Sequence, residues 1–277
     1  MRPGDPATVA VTVVRGRHDH LRRQHQFWAR SERVPDRLVV VSMGDPAVAR
    51  VVAAGPLAER TQVVELGAGA RLPLARARNL GVAAAVEAGA GLVVLLDVDC
   101  LPSSQLLTRY QAALRGRPDA LLCGPVCYLD PPSGPDGWTA DELAAAPPHP
   151  ARPSPPAGTV LVARDTRLFW SLSFAVSPGT WSRVGGFDEA YEGYGGEDTD
   201  FGQRADAAGV PMCWVGGAVA HHQWHPVSRP PVEHLEDIVR NANLFHLRWG
   251  WFPMEGWLTA FADRGLARLV AGEWRVR

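Results

Sequence analysis

Five consecutive apolar residues at positions 92–96 end in the triplet Asp97-Val98-Asp99. An uninterrupted apolar run of this length is typical of a strand at the centre of a parallel sheet that is covered on both faces. The chain before it alternates short β-branched runs with helical stretches, which predicts strands joined by right-handed crossovers. We therefore expect an α/β fold in which a sheet is flanked by helices.

The alternation can be divided into individual elements. The predicted strands of the first half cover residues 8–14, 37–42, 61–66 and 92–96. The predicted helices between them cover residues 20–30, 48–54 and 73–88, and the last of these has no internal breaker. Strands are again predicted at 159–163, 172–176 and 213–219, and helices at 177–184, 198–208 and 232–248.

Proline is concentrated in residues 130–158, between the two halves of this pattern. Such a composition predicts no regular structure there, but either a long mobile loop over the site or a tether between halves. We expect one half at 1–129, this flexible loop at 130–158 and a second half of the same domain at 159–230. A C-terminal helical extension would follow at 231–277.

Composition excludes several classes of function. The formal net charge of the 277 residues is −1, which argues against broad electrostatic binding to nucleic acid. The first residues contain no apolar segment of the signal-peptide type, and no stretch of about 18 uninterrupted apolar residues exists to span a membrane. We therefore expect a cytoplasmic protein. The four cysteines form no CxxC pair, which predicts reduced thiols rather than a zinc site.

Charged side chains stand at the carboxyl ends of the predicted strands. Arg15, Asp45, Asp97 and Asp99 occupy such positions, and ligands of open α/β sheets bind beyond these ends. Asp97 and Asp99 point to the same side of an extended chain, where they could hold a divalent cation and a ribose hydroxyl. Hard oxygen ligands favour Mg²⁺ or Mn²⁺, whose usual partners are diphosphate oxygens.

Two arginines lie on the predicted helix that precedes this strand. Arg76 or Arg78 could direct a planar guanidinium towards a diphosphate. The alternative for each is an exposed basic face of the helix.

The segment from Gly185 to Phe201 contains two Gly-Gly pairs and a cluster of carboxylates. Glycine pairs let the backbone approach a ligand closely, and Gly196 is the last glycine before the acidic pair Glu197-Asp198. Acidic residues at this point could simply cap the helix that follows. Alternatively, one carboxylate is a general base for an acceptor hydroxyl and the other binds the sugar. Capping does not account for the glycine pairs.

Three histidines, His221, His222 and His225, follow a predicted strand. Three in five residues indicate a ligand role for at least one, and imidazole is accepted by Mn²⁺ better than by Mg²⁺. The N-terminal His18, His20 and His25 lack this context and predict an exposed helix start.

The order of these motifs resembles that of a GT-A fold glycosyltransferase, close to family 2 and to the C-terminal region of animal galactosyltransferases. The resemblance covers residues 8 to 225. Its carriers are Ala77-Arg78-Asn79-Leu80-Gly81, Leu95-Leu96-Asp97-Val98-Asp99, Gly185-Gly186-Phe187-Asp188-Glu189, Tyr194-Gly195-Gly196-Glu197-Asp198-Thr199-Asp200-Phe201 and His221. It implies a Rossmann-like, mixed but mostly parallel sheet and an inverting, metal-dependent hexosyl- or N-acetylhexosaminyltransferase. In such a GT-A domain, residues 1–129 would be the nucleotide-sugar-binding half and residues 159–230 the acceptor and catalytic half.

The resemblance also implies roles for the matching residues of the metal and donor sites. Asp99 would bind Mn²⁺ or Mg²⁺, with His221 completing the site and His222 as its nearest competitor. Asp97 would lie near the ribose or behind the metal ligands, and Asp45 would approach the nucleobase. The donor would be a nucleotide sugar, most commonly a UDP-sugar.

For catalysis, the resemblance implies that Asp198 is the base and that Glu197 holds the donor or acceptor sugar. Val14-Arg15-Gly16-Arg17 stands where the family has a Pro-Thr/Ser-Tyr-Asn turn, which implies unusual recognition of the base.

Two other functions are compatible with parts of the pattern. A sugar nucleotidyltransferase would use a similar sheet but would require a glycine-rich phosphate loop after the first strand, where this sequence has only Gly16 between Arg15 and Arg17. A non-catalytic carbohydrate-binding protein would use the acidic cluster for a structural cation. The tryptophan-rich C-terminal segment could stack on a sugar or glycan acceptor, pack on a lipid-linked one, mediate a homodimer contact or belong to the core.

Overall fold

A computed structural model of the chain describes residues 6–67, 69–134 and 137–277. Its strands are β1 (Thr8–Val14), β2 (Arg37–Met43), β3 (Thr61–Leu66), β4 (Leu92–Leu96), β5 (Cys100–Pro102), β6 (Leu121–Cys123), β7 (Val126–Tyr128), β8 (Val160–Val162), β9 (Ser173–Val176), β10 (Met212–Val215), β11 (Ala220–His222), β12 (Ala267–Val270) and β13 (Glu273–Val276). Residues 1–5, on which the expectation about a signal peptide partly rests, lie outside the described residues.

The helices alternate with these strands in the first half of the chain. They are α1 (His18–Ala29), α2 (Ala47–Ala53), α3 (Leu74–Glu87), α4 (Leu106–Gly116), α5 (Ala140–Ala145), α6 (Pro178–Val184), α7 (Glu197–Ala207), α8 (Leu235–Trp249) and α9 (Glu255–Asp263). Short 3-10 turns cover Ala58–Arg60, Thr166–Leu168 and Val232–His234. The predicted elements of the first half are confirmed within two residues at each end.

The main sheet has eight strands in the order β3-β2-β1-β4-β9-β6-β10-β8. Strands β3, β2, β1 and β4 run parallel to one another, and β6 is parallel to β10. Strand β9 is antiparallel to both β4 and β6, and β8 is antiparallel to β10. The mixed, mostly parallel sheet confirms the predicted fold class, and β4 lies inside it with all five residues buried.

Helices cover both faces of this sheet. Apolar residues of α3 and α7 pack on one face, and those of α1 and α4 pack on the other. Helix α3 lies directly against β1, because Gly81 faces Val11 without a side chain; a Cβ at Gly81 would collide with Val11 Cγ1. This close approach fixes the position of α3 along the sheet, and with it the position from which Arg78, on the same helix, reaches the carboxyl end of β4.

A second, three-stranded sheet has the order β5-β11-β7. Strand β11 is antiparallel to β5 and parallel to β7, with His222 opposite Cys100 and Tyr128. Strand β5 begins at Cys100, directly after Asp99. The small sheet therefore brings the histidine segment next to the acidic end of β4.

Residues 100–128, for which no element was predicted, contain β5, α4, β6 and β7, and three further segments differ from the prediction. Residues 130–158 contain the short helix α5, which begins with a capping box between Thr139 and Glu142. The predicted strand 213–219 is two strands, because β10 ends at Val215 and β11 begins at Ala220. The C-terminal extension contains the hairpin β12–β13 in addition to α8 and α9.

None of the helices in the described residues is both long and apolar enough to cross a lipid bilayer. The four cysteines are free and buried, as expected for reduced thiols in the core.

Candidate active site

The turn that carries Asp97 and Asp99 is held in place by hydrogen bonds from Gln24 of α1. The fully buried Gln24 amide donates from Nε2 to the carbonyl of Asp97 at 2.8 Å and to that of Cys100 at 2.9 Å. The Asp97 N–H donates to the carbonyl of Leu172 at 3.0 Å. With its backbone groups satisfied in this way, the turn presents both carboxylates at the carboxyl end of β4.

Arg78 joins this turn to the start of α7. Its Nη2 lies 3.3 Å from Asp97 Oδ1, and its Nη1 donates to Glu197 Oε1 at 3.1 Å. Arg78 is only 5% exposed. Burial works against its charge, but the carboxylates of Asp97 and Glu197 outweigh burial and raise the pKa of Arg78. The guanidinium is therefore a permanent cation between two carboxylates that come from distant parts of the chain.

Asp99, His222 and His225 form a cluster of the kind that holds a metal ion. His222 Nε2 is 3.7 Å and His225 Nε2 is 3.6 Å from Asp99 Oδ2, and one ligand atom from each residue lies within 4.8 Å of the others. Burial works to raise the pKa of Asp99, but His225 and His222 hold it at about 2. The ring of Tyr128 stacks on His222 with ring centroids 4.7 Å apart.

This cluster fits a divalent cation. Two ligand atoms that each lie about 2.1 Å from a metal are at most about 4.2 Å apart, so the two Asp99–histidine separations leave room for an ion between the groups. Burial lowers the pKa of His222, which keeps its ring nitrogen free of a proton near neutral pH. One carboxylate with two imidazoles favours Mn²⁺ over Mg²⁺.

His221 is not part of this cluster, although the sequence prediction places it first among the histidine ligands. Successive side chains of a strand point to opposite faces, and His222 is the one directed to Asp99. The His221 ring lies on the other face of β11, where its Nε2 is 3.1 Å from the carbonyl oxygen of Leu143 in α5. The structure therefore brings His222 and His225, and not His221, next to Asp99.

The first glycine pair is a tight turn that docks on α3. Asn79 accepts a hydrogen bond from the Phe187 N–H through Oδ1 at 2.8 Å and donates to the Phe187 carbonyl through Nδ2 at 2.9 Å. Gly186 has φ +71°, and a Cβ there would lie 2.8 Å from Asn79 Oδ1. Arg204 of α7 donates to the Gly186 carbonyl at 2.7 Å. Glycine is required here for both conformation and space.

The second glycine pair leads into α7, whose first two residues are Glu197 and Asp198. Asp198 accepts a hydrogen bond from the Thr199 N–H at 2.7 Å, and it remains partly exposed. Burial, and then the adjacent charge of Glu197, raise the pKa of Asp198 to about 7. Glu197 is buried, and its Oε2 has no hydrogen-bond partner among the described residues. A carboxyl poised near pH 7 is suited to general base catalysis.

The remaining predicted site residues lie around this centre. Asp45 closes the turn after β1 by accepting hydrogen bonds from the Gly16 N–H at 2.7 Å and the Ala47 N–H at 3.0 Å, and its Oδ2 is 2.8 Å from His18 Nε2. Arg15 donates to the carbonyl of Gly69 at 3.3 Å.

Arg76 is exposed on α3, so of the two predicted arginines only Arg78 faces the acidic residues. Gly196 precedes α7 with φ +91°. His20 and His25 are not an exposed helix start, since burial lowers the pKa of both to about 4.

Sequence reasoning missed a second, buried charge network behind α7. Asp200 is fully buried; its Oδ1 accepts hydrogen bonds from Trp249 Nε1 at 2.9 Å and from the Tyr191 hydroxyl at 3.3 Å. Arg248 Nη1 lies 3.5 Å from Asp200 and also pairs with Asp188. The signal available in the sequence was the pair Arg248-Trp249 at the end of an amphipathic helix, which carries no motif of its own.

Comparison with known proteins agrees with this geometry. A family model described as the N-terminal domain of galactosyltransferase matches residues 164–231, the part that holds both glycine pairs and the histidines. The chain is 28% identical over 194 residues to validoxylamine A glucosyltransferase of Streptomyces hygroscopicus subsp. jinggangensis, with 62% of this chain and 44% of the relative covered. The chain thus spans less than half the length of that relative.

Solved structures share the fold at low sequence identity. GalNAc-T7 with UDP, GalNAc and Mn²⁺ has a TM-score of 0.60 at 14% identity, covering 88% of this chain and 50% of that one. S. aureus TarS residues 1–349 with UDP has a TM-score of 0.60 at 12% identity, and the match covers 94% of this chain and 71% of that one. The mannosyltransferase PcManGT of Pyrobaculum calidifontis with GDP-Man and Mn²⁺ has a TM-score of 0.55 at 16% identity, and the match covers 95% of this chain and 65% of that one. The chain therefore shares the GT-A fold of these glycosyltransferases and is similar in sequence, over 194 residues, to a glucosyltransferase.

Proposed function

We propose that the chain is an inverting, metal-dependent glycosyltransferase that moves a sugar from a nucleoside diphosphate sugar, with UDP as the nucleotide, to an acceptor hydroxyl. The observation that carries the proposal is the pairing of Arg78 with both Asp97 and Glu197, at 3.3 and 3.1 Å. Through Arg78 the acidic end of β4, with its metal-type cluster, and the acidic start of α7 stand side by side. The residues proposed to bind the donor therefore lie next to those proposed to act on the acceptor.

The donor side of the proposal rests on the Asp99, His222 and His225 cluster. These residues would hold Mn²⁺, which supplies positive charge to a departing diphosphate when bound. The structural neighbours carry UDP or GDP-Man together with Mn²⁺, and the sequence relative is named a glucosyltransferase. These names support a nucleotide-sugar donor and a hexosyl group as the transferred sugar.

The acceptor side rests on Glu197 and Asp198. Asp198 takes the proton from the acceptor hydroxyl, because its partly exposed carboxyl has a pKa near neutral pH. The acceptor oxygen then bonds to the anomeric carbon as the bond from that carbon to the diphosphate oxygen breaks. A single base and one displacement invert the anomeric centre. Glu197, held by its hydrogen bond from Arg78, accepts a hydrogen bond from a sugar hydroxyl through its unpaired Oε2.

Calorimetric titration of UDP and of GDP, each with and without Mn²⁺, tests the donor half of this proposal. We expect one nucleotide to bind in a Mn²⁺-dependent manner, and Asp99→Ala to abolish that dependence. A folded protein that binds neither nucleotide would rule out the transferase function and favour simple carbohydrate binding. Binding that is equally tight without metal would rule out the metal-dependent mechanism.

A further inference from the structure

Helix α8 follows the region that the family model covers, which ends at residue 231, yet its side chains reach the glycine-acid loop before α7. Asn241, fully buried on α8, donates from Nδ2 to the carbonyl of Gly195 at 2.7 Å and to that of Glu192 at 3.1 Å. The carbonyl of Tyr194 lies 3.4 Å from the same nitrogen. One amide group thus contacts three carbonyls of the loop between residues 192 and 195, and Arg240 also donates to that of Glu192.

The loop and the helix are fitted to each other at two glycines. A Cβ at Gly196 would lie 3.4 Å from Asn241 Cβ and 3.2 Å from Tyr191 Cε1, and Gly196 has φ +91°. One turn earlier on α8, Asp237 accepts a hydrogen bond from the Tyr194 N–H at 3.3 Å. A Cβ at Gly193 would collide with the Asp237 carboxylate. In the observed conformation, the backbone groups of the loop and the polar side chains of α8 thus satisfy one another.

We infer that Asn241 is a positioning residue for catalysis, which fixes the loop so that Glu197 and Asp198 face the reacting sugar. The inference rests on the proposed transferase function. The carbonyl of Gly195 is two residues before Glu197, so a loose loop displaces the start of α7 and both its carboxylates. A displacement of about 1 Å at a reacting group is enough to lower turnover by about 100-fold.

The chain offers a matched control on the same helix. Asn243 also makes two backbone hydrogen bonds, from Nδ2 to the carbonyl of Trp274 at 2.8 Å and from the Trp274 N–H to Oδ1 at 2.9 Å. These bonds join α8 to the C-terminal hairpin and not to the acidic loop. Asn241→Ala and Asn243→Ala therefore each remove side-chain hydrogen bonds made by α8. The first variant loses those to the acidic loop and the second those to the C-terminal hairpin.

The first readout is hydrolysis of UDP-glucose and of GDP-mannose with Mn²⁺, in which water is the acceptor. The water oxygen bonds to the anomeric carbon, its proton goes to Asp198, and the nucleoside diphosphate leaves with the bonding electron pair. We expect Asn241→Ala to lower kcat by about 100-fold with the donor KM within about two-fold, and Asn243→Ala to change neither. An unchanged kcat in Asn241→Ala, or an equal loss in Asn243→Ala, would overturn the inference.

The second readout needs no turnover: amide hydrogen exchange of residues 193–198 in the presence of UDP and Mn²⁺. We expect faster exchange in Asn241→Ala and unchanged exchange in Asn243→Ala, and equal exchange in both would overturn the inference. If Asn241→Ala does not fold, Asn241→Ser is measured in its place. Because serine retains one hydrogen-bond donor, we expect a smaller loss of kcat and a smaller increase in amide exchange. Absence of Mn²⁺-dependent nucleotide binding in the unmodified protein would instead be a failure of the proposed function.

Discussion

Arg78 donates from Nη1 to Glu197 Oε1 at 3.1 Å, although 119 positions separate the two residues in the chain. Both side chains are almost fully buried, and Arg78 also lies 3.3 Å from Asp97. A buried carboxylate is tolerated only when a cation or hydrogen-bond donors compensate its lost hydration. Arg78 therefore has a structural task, which is to offset the burial of the Asp97 and Glu197 carboxylates and to hold both in place.

Arg78→Met tests this task. The substitution keeps an unbranched side chain of similar length but leaves the buried Glu197 and the partly buried Asp97 without their ion-pair partner. We expect the free energy of unfolding to fall by about 3–5 kcal/mol, as when one partner of a buried ion pair is removed. Urea denaturation at pH 7.5 measures the loss. Arg76→Met, on the exposed face of the same helix, is the control, with a change within about 0.5 kcal/mol.

The pH dependence of turnover follows from Asp198. A general base must be ionised, and the Asp198 pKa is raised to about 7 by burial and by Glu197. We expect donor hydrolysis to rise with pH and to reach half of its maximum near pH 7, whereas Asp198→Asn loses about 10²–10⁴-fold of the rate. Calorimetry should show that Asp198→Asn still binds nucleotide and Mn²⁺. A variant with near-normal turnover would exclude Asp198 as the base.

The same raised pKa predicts that Asp198 costs stability. The unfolded carboxyl titrates near pH 4, so between about pH 4 and 7 the folded state holds a proton that the unfolded state releases. Stability contributed by this group is therefore highest at low pH and decreases as pH rises through that window. We expect Asp198→Asn to raise Tm by about 2–4 °C at pH 8 and to have no such effect at pH 4. Thermal melts at the two pH values measure the difference.

Much of the fold could be predicted because its signals are local. The parallel strands are continuous apolar runs, and α3 is a run of good helix formers without a breaker. Helix α5 escaped prediction because the prolines on both sides obscured its capping pair, Thr139 and Glu142. The boundary between β10 and β11 was missed because the prediction continued the strand through Gly216-Gly217, although a glycine pair is itself a turn signal.

The acidic part of the site was predictable for a similar reason, since Asp97 and Asp99 directly follow the most apolar strand. The choice between His221 and His222 was not, because it depends on which face of β11 meets the end of β4. That face is set by the pairing of β11 with β5 and β7, which is tertiary. Asn241 gave no signal either, since one asparagine in an amphipathic helix does not reveal its partners.

The adjacent histidines supply the sharpest test of the metal site. His222 and His225 lie 3.7 and 3.6 Å from Asp99, whereas His221 lies on the opposite face of β11 beside Leu143. We expect His222→Ala and His225→Ala each to weaken Mn²⁺-dependent nucleotide binding by about 10–100-fold, the loss typical when the surroundings of a bound metal are disturbed. His221→Ala should leave this binding unchanged.

Titration of the bound nucleotide with Mn²⁺, followed by the water-proton relaxation that Mn²⁺ induces, measures all three variants on one scale. The result that contradicts the assignment is a weaker Mn²⁺ affinity in His221→Ala than in His222→Ala. In that case β11 would have to present its other face to Asp99, and the pairing of His222 with Cys100 and Tyr128 would be wrong as well. The three alanine variants therefore test the register of the small sheet together with the ligands of the metal, because one residue of shift exchanges the two histidines.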